Sequence, residues 1–366
     1  MNVMKKPTSI IVTVVVVVLA IILLVSGAIF RMRRQAEGNT LGSRIVNQSN
    51  NTSKGTTTPT TNQTVNNTAG TETTTPTTPT EPQLTPGNHS LTLTQGSVTR
   101  TYSVHVPASY KGSATPLVFN FHGSDSTGSG QQLNSHMNRT ADTQGFIAVY
   151  PDGINKNWSD GRSFTAQKTN NADDVAFVKS MIANLQKKLS IDTKRIYATG
   201  MSNGGMFTQR LACEMTQTFA AVASVAAGFP SELKTNCKPS GTIPVMIVHG
   251  TQDPLVPFNG GNIGVVSGRG QTVSISDAAQ FWVTQAGASK TPTVTNFANA
   301  DANDGTTVVR SVYTGAGPDV QFFQVNGGGH TWPGGVQYLP AITIGRVSRD
   351  IDATAVIWDF FNKQTR

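Results

Sequence analysis

The stretch that decides the fold runs Arg195-Ile196-Tyr197-Ala198-Thr199-Gly200-Met201-Ser202-Asn203-Gly204-Gly205-Met206. Its first five residues read as a buried strand. Met206 to Cys213 reads as a helix. Between them lies Gly-x-Ser-x-Gly, the pattern of a sharp strand-to-helix turn that exposes a serine hydroxyl. The helix N-terminus that follows offers free N–H groups and a positive dipole end. A serine hydroxyl is a weak nucleophile and needs an adjacent base, so this turn directs the search to histidines and acids elsewhere in the chain.

Outward from the turn, residues 88–366 read as one domain in which apolar runs alternate with helical patterns. An antiparallel hairpin opens it, from Ser90–Thr94 and Arg100–Val106 around Gly96-Ser97. Strands are expected at 117–121, 146–150, 195–199, 219–225, 245–248, 308–313 and 320–325, and helices at 173–189, 206–213, 276–285 and 352–362. This alternation predicts an α/β fold: a mostly parallel central sheet with an N-terminal antiparallel hairpin and helices on both faces. Sites in such sheets gather at the carboxyl ends of strands.

Six histidines compete for the role of base. His89, His105, His122, His136 and His249 lie in the domain entrance, the hairpin, a strand end before Gly123, a polar stretch, and a strand end before Gly250. Only His330 follows the last expected strand, in Gly327-Gly328-Gly329-His330-Thr331-Trp332-Pro333-Gly334, and satisfies the chain order serine, acid, histidine. The acid between them is Asp253, in His249-Gly250-Thr251-Gln252-Asp253-Pro254, also after an apolar strand. Asp277, the next candidate, falls in the first turn of a helix, where the dipole alone accounts for a carboxylate. The oxyanion donors expected are the backbone N–H groups of Asn203 and Ser124.

These pieces resemble the polyhydroxybutyrate depolymerase / feruloyl esterase-type secreted α/β-hydrolase family. The resemblance rests on Phe119-Asn120-Phe121-His122-Gly123, Tyr150-Pro151-Asp152-Gly153, Trp158 with Asp160-Gly161-Arg162, Asp173-Asp174-Val175, the Ser202 turn, His249-Gly250-Thr251 with Asp253, and Gly329-His330-Thr331-Trp332. It implies an α/β-hydrolase fold, serine esterase activity without a cofactor, and a triad of Ser202, Asp253 and His330. It further implies substrate-binding roles for Trp332 and Trp158, and Asp173 and Asp174 holding the loop around Trp158. Ser124 stands where family members carry a third glycine or a cysteine. The expected substrates are short-chain hydroxyalkanoate esters, or feruloyl and acetyl esters of polysaccharides, soluble rather than solid. The alternatives are a serine peptidase with the same triad and a non-catalytic surface-binding homologue.

Two further zones precede the domain. Residues 1–34 are read as a membrane anchor or signal segment, because Thr8 to Phe30 is 23 residues without a charge; a helix of that length reaches roughly 34 Å, enough for a bilayer core. Val25-Ser26-Gly27-Ala28 also offers a cleavage site, so anchoring and cleavage both stay open. Residues 35–87, rich in Thr, Asn and Pro, have too little apolar surface to offset ordering entropy and read as a disordered extracellular linker. Export favours a disulfide between Cys213 and Cys237 over two buried thiols, and no further Cys or His has metal-ligand spacing nearby.

Composition narrows the classes. Charged residues are 13% and Gly plus Pro number 53 of 366, which excludes coiled coils. The net charge of +8 divides into seven basic and three acidic residues over 1–86, and 21 and 17 over 87–366. No clustered basic face emerges, so no nucleic-acid partner is expected. The expected partners are an ester substrate and, through the N-terminal segment, a membrane.

Overall fold

The computed structural model describes residues 83–265 and 267–366. The anchor, the cleavage site and nearly all of the linker lie outside the described residues. Within them no helix is long and apolar enough to cross a membrane.

Ten strands form one sheet: β1 (Gly87–Gln95), β2 (Val98–Val106), β3 (Thr115–Phe121), β4 (Ile147–Pro151), β5 (Ile191–Met201), β6 (Ala221–Val225), β7 (Val245–Gly250), β10 (Thr293–Asn296), β11 (Thr307–Tyr313) and β12 (Val320–Asn326). The short strands β8 (Gly261–Asn262) and β9 (Gln271–Thr272) pair separately. The order across the large sheet is β1-β2-β4-β3-β5-β6-β7-β12-β11-β10. The interior pairings from β4 through β12 are parallel. β1, β2 and β4 pair antiparallel at one edge, as the expected hairpin requires. The other edge, β12-β11-β10, is also antiparallel, which the sequence reading did not anticipate.

Burial explains the difference in legibility. β3, β4, β6 and β7 are buried at every position and read as continuous apolar runs, the signature of parallel strands covered on both faces. β10 is exposed at all four positions and carries no alternation. The helices over Asp174–Gln186, Asn203–Glu214 and Ile275–Ala286 bury Phe177, Phe207 and Trp282 in one core layer. The helices over Met137–Gln144 and Ala353–Phe361 bury Met137, Ile357 and Phe361 in the layer on the opposite face. Side-chain caps start several of these helices: Asp173 accepts from Ala176 N–H and Asp352 from Thr354 N–H. Ser274 accepts from Asp277 N–H, so Asp277 belongs to a helix start, as expected.

Cys213 and Cys237 form a disulfide joining the end of the Asn203–Glu214 helix to the residue after the Ser231–Asn236 helix. Closing a loop of this length stabilises by roughly 3 kcal/mol in the chain-entropy picture.

Candidate active site

Ser202 sits between β5 and the Asn203–Glu214 helix with φ 56° and ψ −123°. A serine rarely adopts this left-handed backbone, and such strain is tolerated only where the surroundings fix it. Here Ser202 N–H donates to Val225 O at 2.9 Å and Ser202 O accepts from Met206 N–H at 2.9 Å. Glycine is required around the turn because backbones meet: a Cβ on Gly204 would lie 2.3 Å from Phe121 O, and one on Gly200 2.7 Å from Gly204 C. The turn thus presents Ser202 at the carboxyl edge of the sheet.

Asp253 follows β7 and His330 follows β12, the neighbouring parallel strand. His330 Nδ1–H donates to Asp253 Oδ2 at 2.8 Å. The other carboxylate oxygen, Oδ1, accepts from Leu255 and Val256 N–H, each at 2.8 Å. Asp253 therefore organises a turn and holds an imidazole. Burial pushes its carboxyl up, but the charge and hydrogen bond of His330, with the Val256 N–H bond behind them, outweigh burial and hold it below the ordinary carboxylate value. Glycines on both sides allow close packing: a Cβ on Gly250 would lie 2.3 Å from Gly328 O, and one on Gly329 2.2 Å from Ile344 O. His330 N–H donates to Ile344 O, and Tyr338 Oη–H donates to His330 O at 2.9 Å. These bonds anchor the loop despite its glycine content.

His249 is a second imidazole near the same carboxylate. It is fully buried, its Nε2–H donates to Val256 O at 2.9 Å, and Asp253 Oδ2 lies 3.5 Å away. Burial lowers its pKa, so it is a neutral prop for the Asp253 turn.

The loop after β3 approaches from the other side. A Cβ on Gly123 would meet Ser202 Cβ at 3.2 Å. His122 fixes this loop: its Nδ1–H donates to Gly123 O at 2.7 Å, and its Nε2 accepts from Gly153 N–H at 3.0 Å. Burial lowers the His122 pKa, consistent with the neutral tautomer that these bonds require. Ser124 and Asn203 both border the space above Ser202. That space is a cavity of about 580 Å³ lined by Ser202, His330 and Ser124 among others.

Beneath Ser202 lies a buried polar floor that carries the family-like motif. Asn203 Oδ1 accepts from Trp158 N–H at 2.8 Å, and its Nδ2 donates to Trp158 O at 2.9 Å and to Asp160 Oδ2 at 2.7 Å. Asp160 also accepts from Arg162 Nε at 3.0 Å and from Thr165 Oγ1 at 2.7 Å. Asp174 accepts from Ser159 N–H at 2.7 Å and pairs with Arg100 at 2.6 Å. Asp174 thus holds the Trp158 loop as expected, whereas Asp173 caps its helix instead. Arg100 was missed because a lone arginine in an alternating strand gives no signal of an inward ion pair.

Two expectations about the pocket need correction. Trp158 is buried in the core, packed on Phe121 and Phe207, with its Nε1–H on His122 O at 3.0 Å. Trp332 is buried in the opposite core layer, with its Nε1–H on Thr354 Oγ1 at 3.1 Å. Neither lines the cavity. Both indoles brace the site from behind, because each N–H finds a buried acceptor. Ile263, Gly264, Val265 and Arg269 also line the cavity. Among the described residues no group of His, Cys, Asp and Glu could hold a metal ion.

Comparison with known proteins bears on the family and the class of reaction. The family model described as Phospholipase/Carboxylesterase matches residues 108–263. The chain is 33% identical over 279 residues to "Putative esterase NocK" of Nocardia uniformis subsp. tsuyamanensis, covering 72% of this chain and 79% of that protein. It is 32% identical over 173 residues to "Feruloyl esterase B" of Piromyces equi, covering 45% of this chain and 31% of that one. It is also 32% identical over 144 residues to "Bifunctional acetylxylan esterase/xylanase XynS20E" of Neocallimastix patriciarum, covering 39% and 20%. The likeness thus spans most of the Nocardia protein and under a third of the other two. The chain therefore belongs to the feruloyl-esterase-type α/β-hydrolase family of carboxylic ester hydrolases.

Proposed function

We propose that the chain is a serine esterase working outside the cell, with Ser202 as nucleophile, His330 as general base and then acid, and Asp253 as the group that orients and stabilises the imidazole. The observation that carries this reading is the 2.8 Å bond from His330 Nδ1 to Asp253 Oδ2 beside a cavity that Ser202 also lines. With Nδ1 bonded to the carboxylate, the imidazole's acceptor nitrogen is Nε2, the one that can take the Ser202 proton. Ser202 Oγ attacks the ester carbonyl and His330 Nε2 accepts its proton. The tetrahedral oxyanion is held by the N–H groups of Ser124 and Asn203. His330 returns the proton to the departing alcohol, and water repeats the sequence to release the acid. Asp253 stays ionised throughout, since its carboxyl is held low.

The N-terminal apolar segment and the Thr-rich linker support export, as anchor or signal, and the disulfide agrees with an oxidising compartment. Short-chain hydroxyalkanoate esters and the feruloyl or acetyl esters named in the relatives are the substrates to test first. Ser202→Ala tests the mechanism: turnover of p-nitrophenyl acetate should fall by about 10⁵-fold or more while the folded protein persists. Turnover within tenfold of wild type would reject it.

A further inference from the structure

We infer that the cavity carries an anion-recognising subsite built from Arg269, Lys168 and Phe164, and that the preferred esters bear a carboxylate on the part that lies beside Phe164. This inference rests on the ester-hydrolase reading of the same cavity.

The argument begins with charge accounting along the cavity wall. Four charged side chains other than His330 line it: Arg162, Lys168, Arg269 and Asp125. Arg162 is neutralised from behind by Asp160, which takes both its Nε and its Nη2. Lys168 reaches Asp125 only at 3.7 Å, and that carboxylate is 69% exposed, so the pair is loose and screened. Arg269 forms no ion pair among the described residues. Glu232, on the same side of the molecule, is engaged by Ser163 N–H and Oγ–H and does not line the cavity. The wall therefore keeps one positive charge more than it has carboxylates to balance.

Both cations also have contacts on the wall. Arg162 Nη1–H donates to Arg269 O at 2.7 Å, which ties the backbone at Arg269 to the buried Asp160 floor. The Arg269 guanidinium lies 6.0 Å from the Phe164 ring centroid and Lys168 Nζ lies 5.5 Å from it. Both half-buried cations thus lie within 6.0 Å of one aromatic ring on the wall of a cavity that Ser202 also lines. A planar anion against Phe164 gains a bidentate guanidinium contact and an ammonium charge in a partly desolvated setting, where such bonds are stronger than in water. A neutral ester leaves the excess positive charge without an anion.

The test compares matched esters. One pair places the carboxylate on the acyl side (4-nitrophenyl hemisuccinate against 4-nitrophenyl butyrate). The other places it on the alcohol side (4-acetoxybenzoate against phenyl acetate). The readout is the anionic-to-neutral ratio of kcat/KM. In Arg269→Gln this ratio should fall about tenfold for one pair, identifying the side that meets the subsite. Arg269→Lys should keep it within about threefold, and Lys168→Gln should lower it by about threefold. A ratio unchanged in Arg269→Gln for both pairs would overturn the inference. Should Arg269→Gln fail to fold, wild-type enzyme decides: raising ionic strength from about 0.05 to about 0.5 M should lower the ratio several-fold, and a flat ratio in both pairs overturns the proposal. Failure of the esterase reading looks different, since Ser202→Ala would then leave turnover of both members of a pair intact.

Discussion

The floor beneath Ser202 and the mouth above it are built on opposite principles. In the floor, Asn203, Asp160, Arg162, Asp174 and Arg100 are buried and bonded to one another or to the Trp158 loop. At the mouth, Leu133 is 67% exposed and Val265 83% exposed, and Tyr338 and Leu339 also face solvent around the same cavity. Exposed apolar residues gathered at one opening mark a binding surface, whereas scattered ones need no explanation. The lesson is a division of labour. The floor fixes where the nucleophile stands, and the mouth decides what reaches it.

That division predicts unequal responses to substitution. The largest change in stability should come from the floor. Asp160→Ala takes from the buried Arg162 guanidinium its carboxylate partner and from the Asn203 amide one of its two acceptors, and breaking a buried pair in this way costs about 3–5 kcal/mol. Urea unfolding should show that loss together with reduced kcat, because Asn203 begins the helix behind Ser202. A cost below about 1 kcal/mol would mean that the floor does not hold the turn. Next in size is the disulfide. Its reduction, or the Cys213→Ala/Cys237→Ala pair, should lower stability by roughly 3 kcal/mol.

The two buried neutral histidines give a pH signature that the mouth cannot. Burial lowers the pKa of both His122 and His249. The unfolded chain therefore binds protons first as pH falls below about 6.5, and folded stability drops below that point. Each histidine contributes a slope of about 1.4 kcal/mol per pH unit between its folded and unfolded pKa values. His249→Gln should flatten the dependence by about one proton, as measured by unfolding from pH 7.5 to pH 5. The smallest effect on stability belongs to the mouth: Val265→Ser should change it by less than about 0.5 kcal/mol while shifting KM for apolar esters.

The same contrast explains what could be read from the sequence. The turn at Ser202 was legible because its glycines answer a backbone requirement. His330 and Asp253 were legible from strand ends and chain order, and the structure places them in hydrogen-bond contact. Trp158 and Trp332 were misread because an indole suits a pocket wall and a core equally well, and only the fold shows which way it faces. The helices at Gly128–Ser135 and Ser163–Lys168 went unseen because short polar segments carry no apolar period. The mouth was the least legible part. Leu133 and Val265 look like core residues in sequence, and the Phe164–Lys168–Arg269 cluster joins positions more than a hundred residues apart.

The central claim is that one hydroxyl in the described domain is activated, and that it belongs to residue 202. Labelling with a fluorophosphonate probe, followed by peptide mapping, tests this directly. A single adduct on Ser202, lost in His330→Ala, is the predicted outcome. A protein that stays unlabelled, or that carries its adduct on another serine, would contradict the account.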